Sequence, residues 1–289
     1  MSPSTGCVDA QASREGHHPV HRTIPNGRGS MGERPTAQGP AVLIEDPLVP
    51  PRPRSRTGSD VILCILGRFD LAIGSESVPV GMSCQRLLTL LAIKAGKINR
   101  TRASGMLWPE VRPARASANL RSVLWRLQRC CSGIVEATFY DLRLASGMVV
   151  DIHTVSEIAH RLLDRSTPMT TDELRQARRC NLYEDIFPDL DDEDWLLAQH
   201  ERHRQLRLHA LEALAEQLTA VGWFGAAVEA ALGAVRADPF RESAHQMLVQ
   251  AYLSEGNQLA ARRQHVEYCN LMWRELGVQP SDEFMALMR

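Results

Sequence analysis

The sequence predicts a mostly helical protein with a small β component. Three observations carry this: a proline-studded start, a middle that mixes short apolar runs with three helical periods, and a second half that reads as helix after helix. With 289 residues, 44% of them hydrophobic, the chain has room for two domains and a sizeable core. Its net charge of −1 hides an uneven layout. Residues 61–150 carry 12 basic and 5 acidic side chains, residues 151–289 carry 14 and 23, and residues 1–60 carry 7 and 6. A basic middle favours a polyanionic partner there, and the acidic end argues against nonspecific nucleic-acid binding by the tail.

Residues 1–58 are read as a disordered leader. Nine prolines, from Pro3 to Pro53, punctuate Gly, Ser and Arg, and only Val42–Pro50 is apolar, so too little surface can be buried to offset the entropy of ordering. Arg52, Arg54 and Arg56 offer a weak grip on phosphate, against the plainer reading of a linker. The seven cysteines are odd in number, form no C-x-x-C pair and have no zinc-cage spacing, which points to reduced thiols in a cytoplasm. The chain has no signal-peptide order and no run of about 18 apolar residues. A soluble, intracellular protein without a membrane partner is expected.

Residues 59–150 form the second unit. Val61–Leu66 is a continuous apolar run, Phe69, Leu71 and Ile73 alternate with polar or small neighbours, and a Gly74–Ser77 turn leads to Val78–Val80, so a small antiparallel sheet is expected. Ser83 is placed as the cap of a helix with Leu87, Leu88, Leu91 and Ala95 on one side, ending at Gly96. Thr101 is placed as the cap of a shorter helix that stops at Leu107–Trp108, before Pro109.

The third helix, Ser117–Cys131, is the stretch on which the functional reading turns. At 100° per residue Leu120, Val123, Leu124, Leu127 and Cys131 gather in an apolar stripe, while Ala118, Ser122, Trp125, Arg126 and Arg129 face the other way. Arg115 lies just before it and Arg121 on its flank, yet the nearest acids in sequence are Glu110 and Glu136. Arginines not interleaved with carboxylates repel one another unless a phosphate backbone relieves them; the plainer alternative is a solvated basic face. Ile134–Ala137 and Leu142–Ala145 then make a hairpin around Thr138–Asp141, with Arg143 on the return arm. Sheet, helix, helix, basic helix, hairpin is the order of a winged helix-turn-helix, which lays its third helix in the major groove.

Asn119, Arg121, Ser122, Arg126 and Arg129 are the groove and phosphate candidates, with Arg115 at the entering loop, Trp125 beside them and Arg143 on the hairpin. Trp125 either packs on a sugar edge or thymine methyl group or folds under the hairpin, and the core placement is the one expected.

Residues 151–289 read as an all-α helical repeat. Asp151 is placed as a cap for a segment with Val155, Ile158, Ala159 and Leu162 inward, and Thr171 or Asp172 as the next cap, reaching Cys180. The acidic run Asp189–Asp194 precedes Trp195 at the positive end of a long helix, where carboxylates are favoured. Leu214, Leu218, Gly222 and Ala227 recur as Leu248, Tyr252, Gly256 and Ala261, each 34 positions on, which is the tetratricopeptide period. The last helix is expected to run to Leu276 and stop at Gly277.

The span Leu66–Val150 resembles the OmpR/PhoB-like winged-helix domain of the SARP regulators, the Streptomyces antibiotic regulatory proteins. The points of match are LGRFDL, QRLLTLLAIKAGK, MLWPE and ANLRSVLWRLQR, in order. Gly105 inside the second helix and Thr138–Asp141 in place of a Gly-rich turn depart from that pattern. The stretches from Leu182 to Leu218, ADPFRESAHQMLVQAYLSEGN and RELGVQPSDE resemble the bacterial transcriptional activator domain (BTAD) that follows the winged helix in these regulators. The resemblance implies an activator that binds direct repeats in promoter DNA as a dimer and engages RNA polymerase through its sigma factor or its alpha and beta subunits. It also implies control of an antibiotic or other secondary-metabolite cluster, and a cytoplasmic, nucleoid-associated protein. The nucleotide-binding domain of larger members is not expected here.

Enzyme chemistry finds no support. His200-Glu201-Arg202-His203 spaces its histidines three apart where a zincin needs four, His209 supplies no convincing third ligand, and no Walker A, G-x-G-x-x-G or G-x-S-x-G motif occurs. No catalytic residue, metal or cofactor is expected. The alternative to a DNA-binding activator is a tetratricopeptide-like adaptor whose basic winged helix docks an acidic protein surface.

Overall fold

A computed structural model describes residues 61–190 and 193–288; the expectations for the leader lie outside the described residues. Strands β1 (Val61–Cys64) and β2 (Asp70–Ile73) pair antiparallel with Val61 opposite Ile73 and Cys64 opposite Asp70, which turns Leu63 and Leu71 into the core. The third strand, β3, is Glu76–Ser77 rather than the expected Val78–Val80. Pro79 has no N–H to give a ladder, and Val78 bonds back to Leu71 once, at 2.7 Å.

Helix α1 (Met82–Lys94) buries Cys84, Leu87, Leu88 and Leu91, each Leu contributing roughly 1.5–3 kcal/mol of burial. It is not capped by Ser83: Gly81 is the N-cap and no side chain caps it. At the other end Ala95, not Gly96, takes the left-handed position, at φ 47°, and its N–H reaches the carbonyls of Leu91 and Ala92. After β4 (Ile98–Asn99), helix α2 (Arg100–Leu107) is capped by Asn99, not Thr101; the Asn99 side chain accepts from the N–H of Thr101 at 2.9 Å and of Arg102 at 3.4 Å.

Helix α3 (Pro113–Cys130) starts one turn earlier than expected, with Pro113 in the first turn, where its missing N–H costs nothing. Strands β5 (Val135–Ala137) and β6 (Asp141–Leu144) form the hairpin, and β4 joins it in the order β4-β6-β5. A strand that was not foreseen, β7 (Val149–Val150), runs parallel to β1 and completes the other sheet in the order β3-β2-β1-β7.

The rest is helical: α4 (Asp151–Leu163), α5 (Thr171–Arg179), a 3₁₀ turn at Pro188–Leu190, then α6 (Asp194–Ala220), α7 (Phe224–Ala237), α8 (Glu242–Glu255), α9 (Gln258–Leu276) and α10 (Asp282–Ala286). Thr170, not Thr171 or Asp172, caps α5, in a reciprocal capping box with Glu173. The 34-residue repeat is visible as two helix pairs, α6–α7 and α8–α9. Gly222 and Gly256 turn the chain at φ 78° and 85°, and Ala227 and Ala261 are fully buried where the helices approach. Helix α9 ends at Leu276 with Gly277 in the left-handed position at φ 68°.

One continuous core joins Leu63, Leu87 and Val123 to Leu182, Leu208 and Ala231, so the strand-bearing part and the helical repeat pack as a single unit. Their seam is also hydrogen-bonded. Leu66 bridges to Ile186, with Gly67 N–H donating to Asp185 and Phe187 N–H to Ile65, both at 2.7 Å. Asp151, expected as a helix cap, instead accepts from the N–H groups of Ile65 and Leu66, each at 2.9 Å, as well as from Ile152 in its own helix. Arg86 of α1 meets Glu193, which also accepts from the Trp195 indole N–H at 2.8 Å. Among the described residues no helix is long and apolar enough to cross a membrane.

Candidate nucleic-acid interface

The buried side of α3 is set by Ala116, Leu120, Val123 and Leu127, which recur every three or four residues and anchor the helix on α1 and α2. Leu124 is half-buried and Cys131, just past the helix, is buried. The opposite side is open: Arg115, Arg121, Ser122, Trp125, Arg126 and Arg129 are all exposed, and Asn119 is half-buried at its edge. Arg112, which sequence reasoning did not single out, is the exposed N-cap and adds a guanidinium at the entry to the helix. Its signal was available, since it immediately precedes a proline at a helix start.

Among the described residues none of Arg112, Arg115, Arg121, Arg126 and Arg129 has a carboxylate within ion-pair distance. Arg126 donates only to the Ser122 carbonyl, at 3.3 Å, and the Ser122 hydroxyl donates to the Ala118 carbonyl at 3.1 Å. These are contacts within one helix, and they leave most guanidinium donors facing outward.

Trp125 does not fold under the hairpin as expected; it is 59% exposed. Position 125 lies 200° around the helix from the buried Val123, and its ring stands at the rim of a cleft between α3 and the hairpin that it shares with Leu124, Leu127, Val135 and Ala137. The Arg129 guanidinium sits over its ring, 4.8 Å from the centroid.

The hairpin is held against α2 by Arg100, whose main-chain N–H donates to the Tyr140 carbonyl at 2.8 Å and whose guanidinium donates to that of Thr138 at 3.0 Å. Its turn closes without glycine because the Thr138 hydroxyl accepts from the N–H groups of Tyr140 and Asp141. Phe139 and Tyr140 stand exposed at the tip, edge to face with ring centroids 4.9 Å apart. Arg143 differs from the α3 arginines: it is spent on Glu136, donating from Nε at 2.8 Å, and this pairing holds the Glu136 carboxyl below its usual range.

The histidines of α6 do not converge. His203 is buried with Nε2 3.3 Å from the Glu184 carbonyl, His200 lies 3.4 Å from Asp185, and His209 is exposed. Among the described residues no three metal-ligating side chains come together, and the six cysteines are free thiols.

A basic helix seated on two others and flanked by a hairpin, followed by paired helices, makes this a mostly helical protein with a strand-bearing first part and a helical repeat-like second part. Residues 150–289 match the family model of the bacterial transcriptional activator domain. Among solved structures the chain is similar to Mycobacterium tuberculosis EmbR in complex with a low-affinity phosphopeptide, with 20% sequence identity and a TM-score of 0.60. That likeness covers 79% of this chain and 64% of the other, so it is a likeness of fold over part of the longer protein. No curated protein matches the chain.

Proposed function

We propose that the chain is a transcriptional activator of the SARP type that binds promoter DNA through α3. One observation carries the reading: the outward side of α3 presents four exposed arginines, with Arg112 a fifth at the entry to the helix, and none has an acidic partner among the described residues. A packed protein surface normally neutralises such a cluster, whereas a duplex does so by giving up condensed counterions. The matched activator domain and the EmbR-like fold support the regulatory half of the proposal.

In this reading Arg115, Asn119, Arg121, Ser122, Arg126 and Arg129 divide groove and phosphate contacts among themselves, and Arg143, tied to Glu136, braces the hairpin beside the backbone. Two copies bind direct repeats near a promoter in the cytoplasm, and the acidic repeat recruits RNA polymerase, with a secondary-metabolite cluster as the regulated target. Exposed Leu259, Val266 and Trp273 on α9 give the repeat an apolar surface for a protein partner.

The test is duplex affinity against salt, using fragments selected from a random-sequence library. The logarithm of the binding constant should fall with the logarithm of salt with a slope of about −4, and the slope should shrink by about 1 for each phosphate-binding arginine replaced by alanine. Absence of duplex binding at low salt refutes the proposal and leaves the protein-adaptor reading.

A further inference from the structure

The arginine side of α3 contains one group that phosphate cannot explain. Trp125 stands in its middle, 59% exposed, in a shallow depression that it lines with Arg121, Ser122 and Arg126. A large aromatic ring left mostly in water costs free energy that a Lys or Ser at the same position would not, and only its inner edge borders the cleft between α3 and the hairpin, beside Leu124 and Leu127. The Arg129 guanidinium covers part of the ring from one turn further along the helix. This contact restricts the indole without burying it, so the ring is presented in a limited orientation.

What such a ring can recognise follows from the surface of the duplex. Phosphates offer oxygens, and two apolar surfaces remain: the deoxyribose C–H edges of the groove wall, alike at every position, and, on the floor that the middle of a helix in the major groove faces, the 5-methyl group of thymine among hydrogen-bonding base edges. The depression beside Trp125 has the matching chemistry: an apolar ring flanked by the guanidinium groups of Arg121 and Arg126. Resting on the DNA-binding reading above, we infer that Trp125 is a specificity-determining residue that packs against a thymine 5-methyl group in the major groove. The flanking arginines supply affinity, and the indole supplies a preference for T over C at one position of each half-site.

Uracil tests this directly, because it pairs as thymine does and lacks only the methyl group. Duplexes selected by the full chain would be remade with each thymine of the protected stretch replaced singly by uracil. Wild-type protein should lose about fourfold in affinity at one thymine per half-site, the worth of one buried methyl group, and nothing at the others. Trp125→Ala should bind thymine and uracil duplexes equally at that position while keeping the wild-type salt slope, and Trp125→Phe should keep part of the discrimination. Because Trp125 is exposed, both variants should fold, which circular dichroism confirms.

Equal wild-type affinity for every thymine and uracil duplex overturns the inference and leaves the DNA-binding proposal standing. So does a Trp125→Ala protein that still discriminates. Failure to bind any duplex at low salt overturns both.

Discussion

Replacing Asp151 with alanine removes the acceptor for two backbone donors, the N–H groups of Ile65 and Leu66, whose residues are 0% and 2% exposed. The three residues are 85 and 86 positions apart in sequence, so no local rearrangement supplies a substitute. Each buried N–H left unsatisfied costs roughly 1–3 kcal/mol. Against this stands the cost of holding a carboxylate in a buried site: burial pushes the Asp151 carboxyl above its usual range even though three N–H groups pull it down. The alanine variant escapes that cost, so the net loss is placed at about 3 kcal/mol rather than the sum of two full penalties.

Asp151→Asn keeps one oxygen and turns an NH₂ towards a donor, and should lose about half as much. Urea unfolding followed by helical circular dichroism reads both variants. The midpoint should move with an unchanged slope, and the thermal midpoint should fall by about 6–12 °C for alanine. An alanine variant within about 1 kcal/mol of wild type would refute the idea that this carboxylate holds the seam between β1 and α4.

Three further outcomes are expected. Gly233→Ala should destabilise by about 1–2 kcal/mol although alanine favours a helix, because the added Cβ would sit 2.7 Å from the Tyr183 ring; in a Tyr183→Ala background the sign should reverse in the same unfolding assay. Ala95→Gly should raise stability by about 0.5–1 kcal/mol, since alanine holds a left-handed φ of 47° at the end of α1 that glycine adopts without a Cβ clash. Burial holds His203 and His245 below their usual 6.5, so the unfolded chain takes up protons that the folded state refuses; stability is full above that value and declines as pH falls through the folded values. A thermal midpoint that declines from about pH 7.5 to about pH 5, and a flatter profile in His245→Gln, would bear this out.

What could be read from the sequence was whatever local periodicity dictates. The apolar stripe of α3 follows from Leu120, Val123 and Leu127, and the two helix pairs follow from Gly222 and Gly256 at a fixed interval with Ala227 and Ala261 behind them. Caps slipped by a residue or two because several candidates stand together: Asn99 beside Thr101, and Thr170 beside Thr171 and Asp172. The fate of Asp151, the parallel pairing of β7 with β1, and the bridge between Leu66 and Ile186 depend on residues far apart in the chain, and no window of sequence contains both halves.

On the candidate site, the same 100° rotation that groups the arginines also turns Trp125 outward. Expecting it in the core gave the general preference for burying indoles more weight than the geometry of this helix.

The uninterrupted core from Leu63 through Ala251 has a mechanical consequence. It ties the part that carries α3 to α6, α7 and α8 without a break, whereas α9 and α10 close over a second, smaller cluster of Val249, Ala261, Tyr268 and Phe284. Whatever holds α3 therefore also sets the bearing of α8, and is passed on to α9 only through the packing between those two helices.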